Sequence, residues 1–581
     1  MKTYRKIFVV PAFALLLAPA VPAQADAIRE FYSVETIEPP EGVVAEVGGV
    51  DFMPDGRLVV VFERGEVYTY DVEAGEWSEF AAGLHTPLGV VAVSESEVVV
   101  SQRAEVTRLR DTSGDGVADH YEVLTDAIGM SGNYHEFHFG PTRDAEGNFY
   151  IGLNLASQGA GIRHEIRGEY SEEGRPGRMY SAVPYRGWVM QITPAGEMRP
   201  WAPGFRSPNG LGFDAKGNLF VTDNEGDWLG TSKLHHVEQG KFYGHPGSLA
   251  WQPGIEGRPL DIPHAELDRM RTKPVVQFPH GIMSNSPTQP IHDSTNGAFG
   301  PFSGQLFVGE MNRPRIMRVM LEEVAGSLQG AVVPFYDDAG LQMGNNRLAF
   351  APDGSLWVGQ THREQGWAGA PGLQRITWKK EVPLDVFAMN LTESGFDLTF
   401  TRPVDPVTGG NRDSYAFRRY FYRYDAAYGS PQLGVQAVPV DQATVSEDGR
   451  TVSLALDNLV PGHIYELTLN GLIGEAGDAP VNTLIAYTLN RLLDGTEELP
   501  PEKMVLEGDQ GIFEAEEAEM RGPSPATNHS GYTGSGFVSY HNNSGDFVEW
   551  TIDVENGGEF DFRFRYALES GNRPLRLVVN E

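Results

Sequence analysis

Hydrophobic and polar positions alternate along the first two thirds of this chain, and the alternation is broken at intervals by tight polar turns. Six copies of one unit stand out: VDFMPDGRLVVV, VVAVSESEVVVS, FHFGPTRDAEGNFYIG, LGFDAKGNLFVTD, GAFGPFSGQLFVG and LAFAPDGSLWVG, with turns near residues 55, 95, 147, 217, 304 and 354. Alternating strands joined by Gly with Asp, Asn, Ser or Glu predict β-hairpins. One hairpin cannot bury its own apolar face, so spaced copies imply stacked blades. Six units predict an all-β chain whose residues 28–378 form a six-bladed β-propeller. Equivalent loops would then meet around one axis.

The rhythm changes after that. Residues 381–490 carry hairpins such as LTESGFDLTF and VSEDGRTVSLAL, which predict an immunoglobulin- or fibronectin-like sandwich acting as a spacer. Residues 491–511 are acidic and proline-bearing and read as a linker. Residues 512–581 begin another β domain, an incomplete jelly roll. Residues 155–185 and 228–295 are long insertions rich in Gly, Pro, Arg and His, and such insertions predict functional loops.

Composition adds three constraints. Lys2, Arg5 and Lys6 precede the apolar run IFVVPAFALLLAPAV, and Ala23-Gln24-Ala25 follows it, so residues 1–25 read as a signal peptide. The run is short and broken by Pro11 and Pro19, which argues against a membrane span. A secreted or periplasmic protein is expected. The 581 residues include no cysteine, which excludes c-type haem, iron–sulfur clusters and a thiol nucleophile. The formal net charge of −34 argues against nucleic acid as a partner.

The loops expected on one face are rich in chemistry. Those leading into the inner strands hold His85-Thr86-Pro87, Asn133-Tyr134-His135-Glu136, Arg206-Ser207-Pro208-Asn209 and Asn345-Asn346-Arg347. Those leaving the second strands hold Asn154, Asp223–Asp227, Glu310–Arg313 and His362-Arg363-Glu364. Ordinary turns would carry mainly Gly, Asn, Asp and Ser. His135 is the leading candidate for a general base, because imidazole titrates near neutrality. His138 lies inside a strand and is expected to pack between blades. Arg206 and Arg347 suit carboxylates or polar oxygens of a ligand, because guanidinium offers a bidentate fork. The oxygen-rich segment Asp223, Asn224, Glu225 and Asp227 suits calcium. A second calcium candidate is DTSGDGVADHYE, with Asp111, Ser113, Asp115, Asp119 and Glu122 at positions 1, 3, 5, 9 and 12, Gly116 at position 6, and the carbonyl of Val117.

With these residues in view, residues 40–378 resemble the soluble quinoprotein glucose/sorbosone dehydrogenases. The segments are GFRSPNGLGFDAKGNLFVTDNEGDW, KFYGHP and NYHEFHFGP. The resemblance implies pyrroloquinoline quinone held beside calcium, with Arg206, Asn209, Arg313 and Arg347 on the cofactor and Asp223–Asp227 on the metal. His135 would take the proton of a sugar or polyol hydroxyl, and an external acceptor would receive the electrons. Ser207 stands where the family has Asn, and Asn312 where it has Lys. The segments FEAEEAE, GYTGSGFV and GDFVEWTIDV are similar to carbohydrate-binding jelly rolls of families six and thirty-five. That likeness implies calcium at Glu514 and Glu516, sugar stacking on Tyr566, and a polysaccharide partner. Two alternatives stay open: a metal-dependent hydrolase or lactonase on a propeller, and a non-catalytic carbohydrate-binding scaffold.

Overall fold

The computed structural model describes residues 24–159, 166–362 and 369–497, and from the C-terminal stretch 505–507, 513–521, 523–529, 531–540, 547–553 and 564–566. Residues 1–23, which carry most of the expected signal peptide, lie outside the described residues. Two compact units divide the chain, residues 1–500 and 501–581.

Five of the six predicted hairpins form as read, and six antiparallel sheets result. The first sheet runs through Val47–Phe52, Leu58–Phe62, Val67–Asp71 and Glu76–Ala81. The second begins at Gly89–Ser94, the third at His138–Arg143, the fourth at Pro208–Phe213, the fifth at Pro287–His292 and the sixth at Asn345–Phe350. The leading strands of successive sheets touch, and the sixth touches the first, so they close a ring. Their backbones approach closely, which is why glycine occupies them: a Cβ on Gly89 would lie 1.9 Å from the Gly140 carbonyl oxygen, and one on Gly210 would lie 2.3 Å from the Gln289 Cα. Apolar side chains fill the gaps between sheets. Val59 and Val61 of the first meet Val98 and Val100 of the second, and all four are fully buried. Tyr32–Thr36, from the start of the described chain, pairs with Gly372–Trp378 and completes the sixth sheet.

Two expectations are corrected. The fifth unit was read with GAFG as its first strand, whereas the leading strand is Pro287–His292 and the connection spans 293–305. Pro287 and Pro290 hid it, but a leading strand is an edge whose N–H groups need no ladder partner on one side. Residues 381–490 do form two facing sheets, but not as a separate spacer. One sheet continues the fifth: Ser327–Asp337 pairs with Leu484–Leu489, followed by His463–Leu469, Tyr415–Phe421 and Leu433–Val438. The other holds Val386–Thr392, Gly395–Phe400, Thr451–Leu456 and Val440–Val445. Phe396, Tyr465 and Tyr487 fill the core between them together with Met320 and Val333 of the fifth sheet. Burying each such aromatic contributes about 2 kcal/mol. Within the expected linker, Arg491 is tied back by accepting-side contacts of Gln329, whose Oε1 receives the Arg491 N–H at 2.9 Å.

The second unit holds short strand pairs: Val505–Glu507 with Thr551–Asp553, Glu519–Arg521 with Phe547–Glu549, and Ser524–Ala526 with Phe537–Ser539. Among the described residues, no helix is long and apolar enough to cross a membrane.

Candidate ligand site on the loop face

His135 is held from both ends. The Asn133 side chain accepts the His135 N–H at 3.0 Å and the Ser157 N–H at 3.0 Å, which pins the segment against the short strand Ala156–Ser157. The Nδ1 of His135 lies 2.7 Å from the Leu155 carbonyl oxygen. A carbonyl only accepts, so Nδ1 carries the proton and Nε2 is the basic nitrogen of the neutral ring. The residue is buried, and beside it Tyr134 is 49% exposed. His138 packs between sheets as expected: its Nε2 accepts the Ala104 N–H at 2.9 Å, its Nδ1 faces Ser101 Oγ at 3.1 Å, and burial drives its pKa down to about 3.

Arg206 and Arg347 have different fates. The Arg347 guanidinium crosses the axis and spends its N–H groups on main-chain oxygens: Gly48 at 2.9 Å, Leu88 at 2.7 Å, Asn209 at 3.2 Å and Asn346 at 2.8 Å. It therefore joins the first, second, fourth and sixth sheets. Its burial lowers its pKa to about 10. Reading it as a ligand for cofactor carboxylates is corrected on this ground, since its donors are already taken. Arg313 is likewise engaged, donating to the Gly281 carbonyl.

The side chain of Arg206, by contrast, makes no hydrogen bond among the described residues. It is only 9% exposed, its Nε is buried without a partner, and its nearest carboxylate oxygen is Asp227 Oδ1 at 3.9 Å, also without a hydrogen bond. Gly226 makes the path for it: a Cβ there would lie 2.1 Å from Arg206 Nε.

The Asp223–Asp227 loop is anchored by its own acids. Asp223 is fully buried and accepts the N–H groups of Arg206 at 2.8 Å and Ser207 at 2.7 Å; burial raises its pKa despite Lys233 nearby. Lys233 pairs with Asp223 across the ladder, and burial pushes its ammonium down to about 8. Glu225 faces His280 Nδ1 at 2.6 Å. Asp227 Oδ2 lies 3.2 Å from His245 Nε2; since His245 Nδ1 accepts the Gly247 N–H, Nε2 is the donor. Burial pushes Asp227 upward, but His245 and Arg206 outweigh it and hold it below the ordinary carboxylate value. Asn224 gives its Nδ2 to Ser286 Oγ at 3.0 Å, and its Oδ1 has no hydrogen-bond partner. The buried Oδ1 atoms of Asn154 and Asn209 are in the same condition. Lys233 and His280 carry no sequence signal as partners of this loop, and His245 carries only that of KFYGHP.

The other metal candidates fare differently. Asp111 spends its oxygens on the Gly114 N–H at 2.6 Å and the Gly116 N–H at 2.8 Å, Asp119 accepts from Thr112, and Asp115 accepts from the Val117 N–H. Ser113 donates to Asp111, and Val117 is exposed. Glu122 lies in the strand His120–Thr125 and faces Arg108 and Arg110 at 3.3 and 3.1 Å. The twelve-residue loop is thus closed by its own hydrogen bonds, and its last supposed ligand is turned to two arginines, which corrects the calcium expectation there. In the second unit, Glu514 accepts from Thr533 Oγ1 and Glu516 from the Gly536 N–H, with Gly534 leaving room for both carboxylates. Tyr566 is 73% exposed. Among the described residues, no group of three or more His, Cys, Asp or Glu is arranged to hold a metal ion.

A quinone with its calcium is the group implied by the resemblance. The residues fit it on the Arg206 side, where the buried Nε of Arg206 and the Oδ1 atoms of Asn224 and Asp227 have no hydrogen-bond partners. They do not fit it at Arg347.

A family model described as a domain of unknown function, DUF7133, matches residues 26–268. Exo-beta-D-glucosaminidase of Amycolatopsis orientalis is 44% identical over 69 residues, 12% of this chain and 7% of that protein. A cycloisomaltooligosaccharide glucanotransferase of Niallia circulans is likewise 44% identical over 69 residues, with the same shares. The chain spans under a tenth of the length of these two curated relatives. Among solved structures, the chain is similar to the quinone-bound aldose sugar dehydrogenase of Streptomyces coelicolor, with 16% identity over 60% of this chain and 98% of that one and a TM-score of 0.40. It is similar also to the soluble aldose sugar dehydrogenase of Escherichia coli in its apo form, with 14% identity over 60% and 99% and a TM-score of 0.42. Likeness at this level assigns neither cofactor nor substrate to this chain.

Proposed function

We propose that the chain is an exported, six-bladed propeller of the sugar dehydrogenase kind, oxidising a sugar or polyol hydroxyl and held near polysaccharide by a carbohydrate-binding jelly roll at its C-terminal end. The observation that carries this reading is Arg206: a residue nine-tenths buried, whose side chain makes no hydrogen bond among the described residues and whose Nε is buried without a partner, in the loop face that also presents His135. Leaving such a group unsatisfied costs about 1–3 kcal/mol or more, and a bound anionic group would recover it. Pyrroloquinoline quinone, when bound with calcium, supplies the two-electron acceptor. Arg206 would hold a carboxylate of that cofactor, and Asn224 and Asp227 would offer oxygens to the metal. His135 would accept the hydroxyl proton at Nε2, with the Leu155 carbonyl fixing the tautomer. Electrons would leave to an external acceptor. The Glu514 and Glu516 carboxylates would hold a structural calcium in the jelly roll, and Tyr566 would stack on a sugar ring.

The test is titration of the full chain with calcium and the quinone, followed by dye reduction over a panel of sugars and polyols. Saturable quinone binding and dye reduction, both lost in Arg206→Met, are expected. No binding and no reduction would overturn the reading.

One observation favours a second reading. The unpartnered buried Oδ1 atoms of Asn154, Asn209 and Asn224 suit a divalent ion that activates water for hydrolysis or lactone opening. Acid release from lactones without quinone would select it. Glycan binding without turnover would instead select a non-catalytic scaffold.

A further inference from the structure

A loop of the sandwich region lies against the Asp223–Asp227 loop. The N–H of Gly429 donates to the Gly226 carbonyl at 3.0 Å, the N–H of Ser430 donates to the Gly230 carbonyl at 3.0 Å, and Tyr428 bridges to Asp227 along the backbone. Tyr428 remains 49% exposed. Two guanidinium groups lie over its ring, Arg178 at 4.3 Å and Arg206 at 5.5 Å from the centroid. Arg178 comes from the 155–185 insertion, so three distant segments meet here.

The charges are unevenly satisfied. Glu225 is occupied by His280, Asp227 by His245, and Asp223 by two main-chain N–H groups. Arg178 is exposed and faces no carboxylate within ion-pair distance among the described residues, although the chain has 79 acidic residues against 45 basic ones. Its neighbour Arg175 also lies over a tyrosine, Tyr180, at 4.1 Å. An aromatic ring fixes a guanidinium plane while leaving its N–H edge open, and that edge matches a carboxylate.

We propose that Arg178 and Tyr428, beside Arg206, form a recognition site for the carboxylate of an acidic sugar, a uronate or aldonate. The inference rests on the sugar-dehydrogenase reading for what happens to the substrate, but binding itself does not need it. It makes the sandwich loop a working wall of the site. The quinone carries carboxylates too, so the two sources of this chemistry need separate arms.

Calorimetric titration of the full chain with glucuronate, glucose and pyrroloquinoline quinone tests it. Glucuronate is expected to bind at least tenfold more tightly than glucose, to weaken as salt rises, and to lose about tenfold in Arg178→Gln and in Tyr428→Leu, with Tyr428→Phe close to the parent. The two substituted side chains are exposed, and unchanged melting temperatures would show the folds intact. Quinone affinity should be unaffected by Arg178→Gln. Equal affinity for glucose and glucuronate, no glucuronate binding, or unchanged glucuronate affinity in Arg178→Gln would overturn the proposal. So would a loss confined to the quinone, which would make Arg178 part of the cofactor site. Dye reduction is scored separately, so the catalytic reading can fail while glucuronate binding stands.

Discussion

The axis and the loop face of the ring carry the same residue type to opposite ends. At the axis, Arg347 is buried and saturated, with oxygens of Gly48, Leu88, Asn209 and Asn346 around it. On the loop face, the Arg206 residue is almost as buried and its side chain makes no hydrogen bond among the described residues, lying between Gly226 and the ring of Tyr428. On the proposed reading, this contrast separates a structural cation from a recognising one in a single fold. A guanidinium whose donors are spent on main-chain oxygens holds sheets together. One with a buried, unspent donor, as at the Nε of Arg206, would recover that cost by binding an anionic group, as proposed above.

The largest effect that could break this comparison is stability. Arg347→Met should leave at least three carbonyls buried and unpaired, each costing about 1–3 kcal/mol, so a loss of about 3 kcal/mol or more is expected in urea unfolding of the first unit. Arg206→Met removes no hydrogen bond and should change stability by about 1 kcal/mol or less, while abolishing ligand affinity. Similar unfolding midpoints for the two variants would erase the distinction.

A smaller effect sharpens it. Asp223→Asn replaces one carboxylate oxygen by an NH₂ group facing a main-chain N–H, either of Arg206 or of Ser207. A loss of about 1–3 kcal/mol is expected for the unpaired donor. It should come with faster amide exchange at Arg206 and Ser207. Unchanged exchange there would show that Asp223 does not position the Arg206 backbone.

These contrasts also mark what the sequence could carry. The hairpins were legible because a period of two and a Gly-bearing turn are local, as in Met53–Arg57 and Ala351–Ser355. The fifth leading strand was not, because PTQPIH lacks that signature and its edge position is a property of the assembled ring. Arg206, His135 and Asp223 stand out by residue type in the loops that lead into or leave the inner strands. What each one touches does not: Gly48 and Leu88, the partners of Arg347, are 299 and 259 residues away from it. The twelve-residue acidic loop had the right letters, but strand alternation set Glu122 opposite Arg108. Tyr428 sits in AAYGSP, a turn with no pattern that marks it, and only the continuation of the fifth sheet into the sandwich brings it to Arg206.

The smallest expected effect is one of pH, and it tests the loop face alone. Its hydrogen bond to Glu225 raises the pKa of His280 above the ordinary 6.5. The sign follows from the protonated ring being favoured in the folded state. The pair's contribution is fully present below the unfolded histidine value and is lost as pH rises through the raised folded value. His280 is 44% exposed at its side chain, so solvent weakens the pair, and global stability should change little across this range. The imidazole C–H resonances should nonetheless titrate above 6.5, and Glu225→Gln should bring them back down. Glu225 sits one residue from Gly226, so freeing it by alkaline pH should loosen the backbone under Arg206 and lower ligand affinity there. Nothing comparable should happen at the axis, where the carbonyl partners of Arg347 do not titrate and its own pKa of about 10 keeps it charged. A His280 that titrates at 6.5, or one indifferent to Glu225→Gln, would show that this loop is held by Asp223 and Asp227 without it.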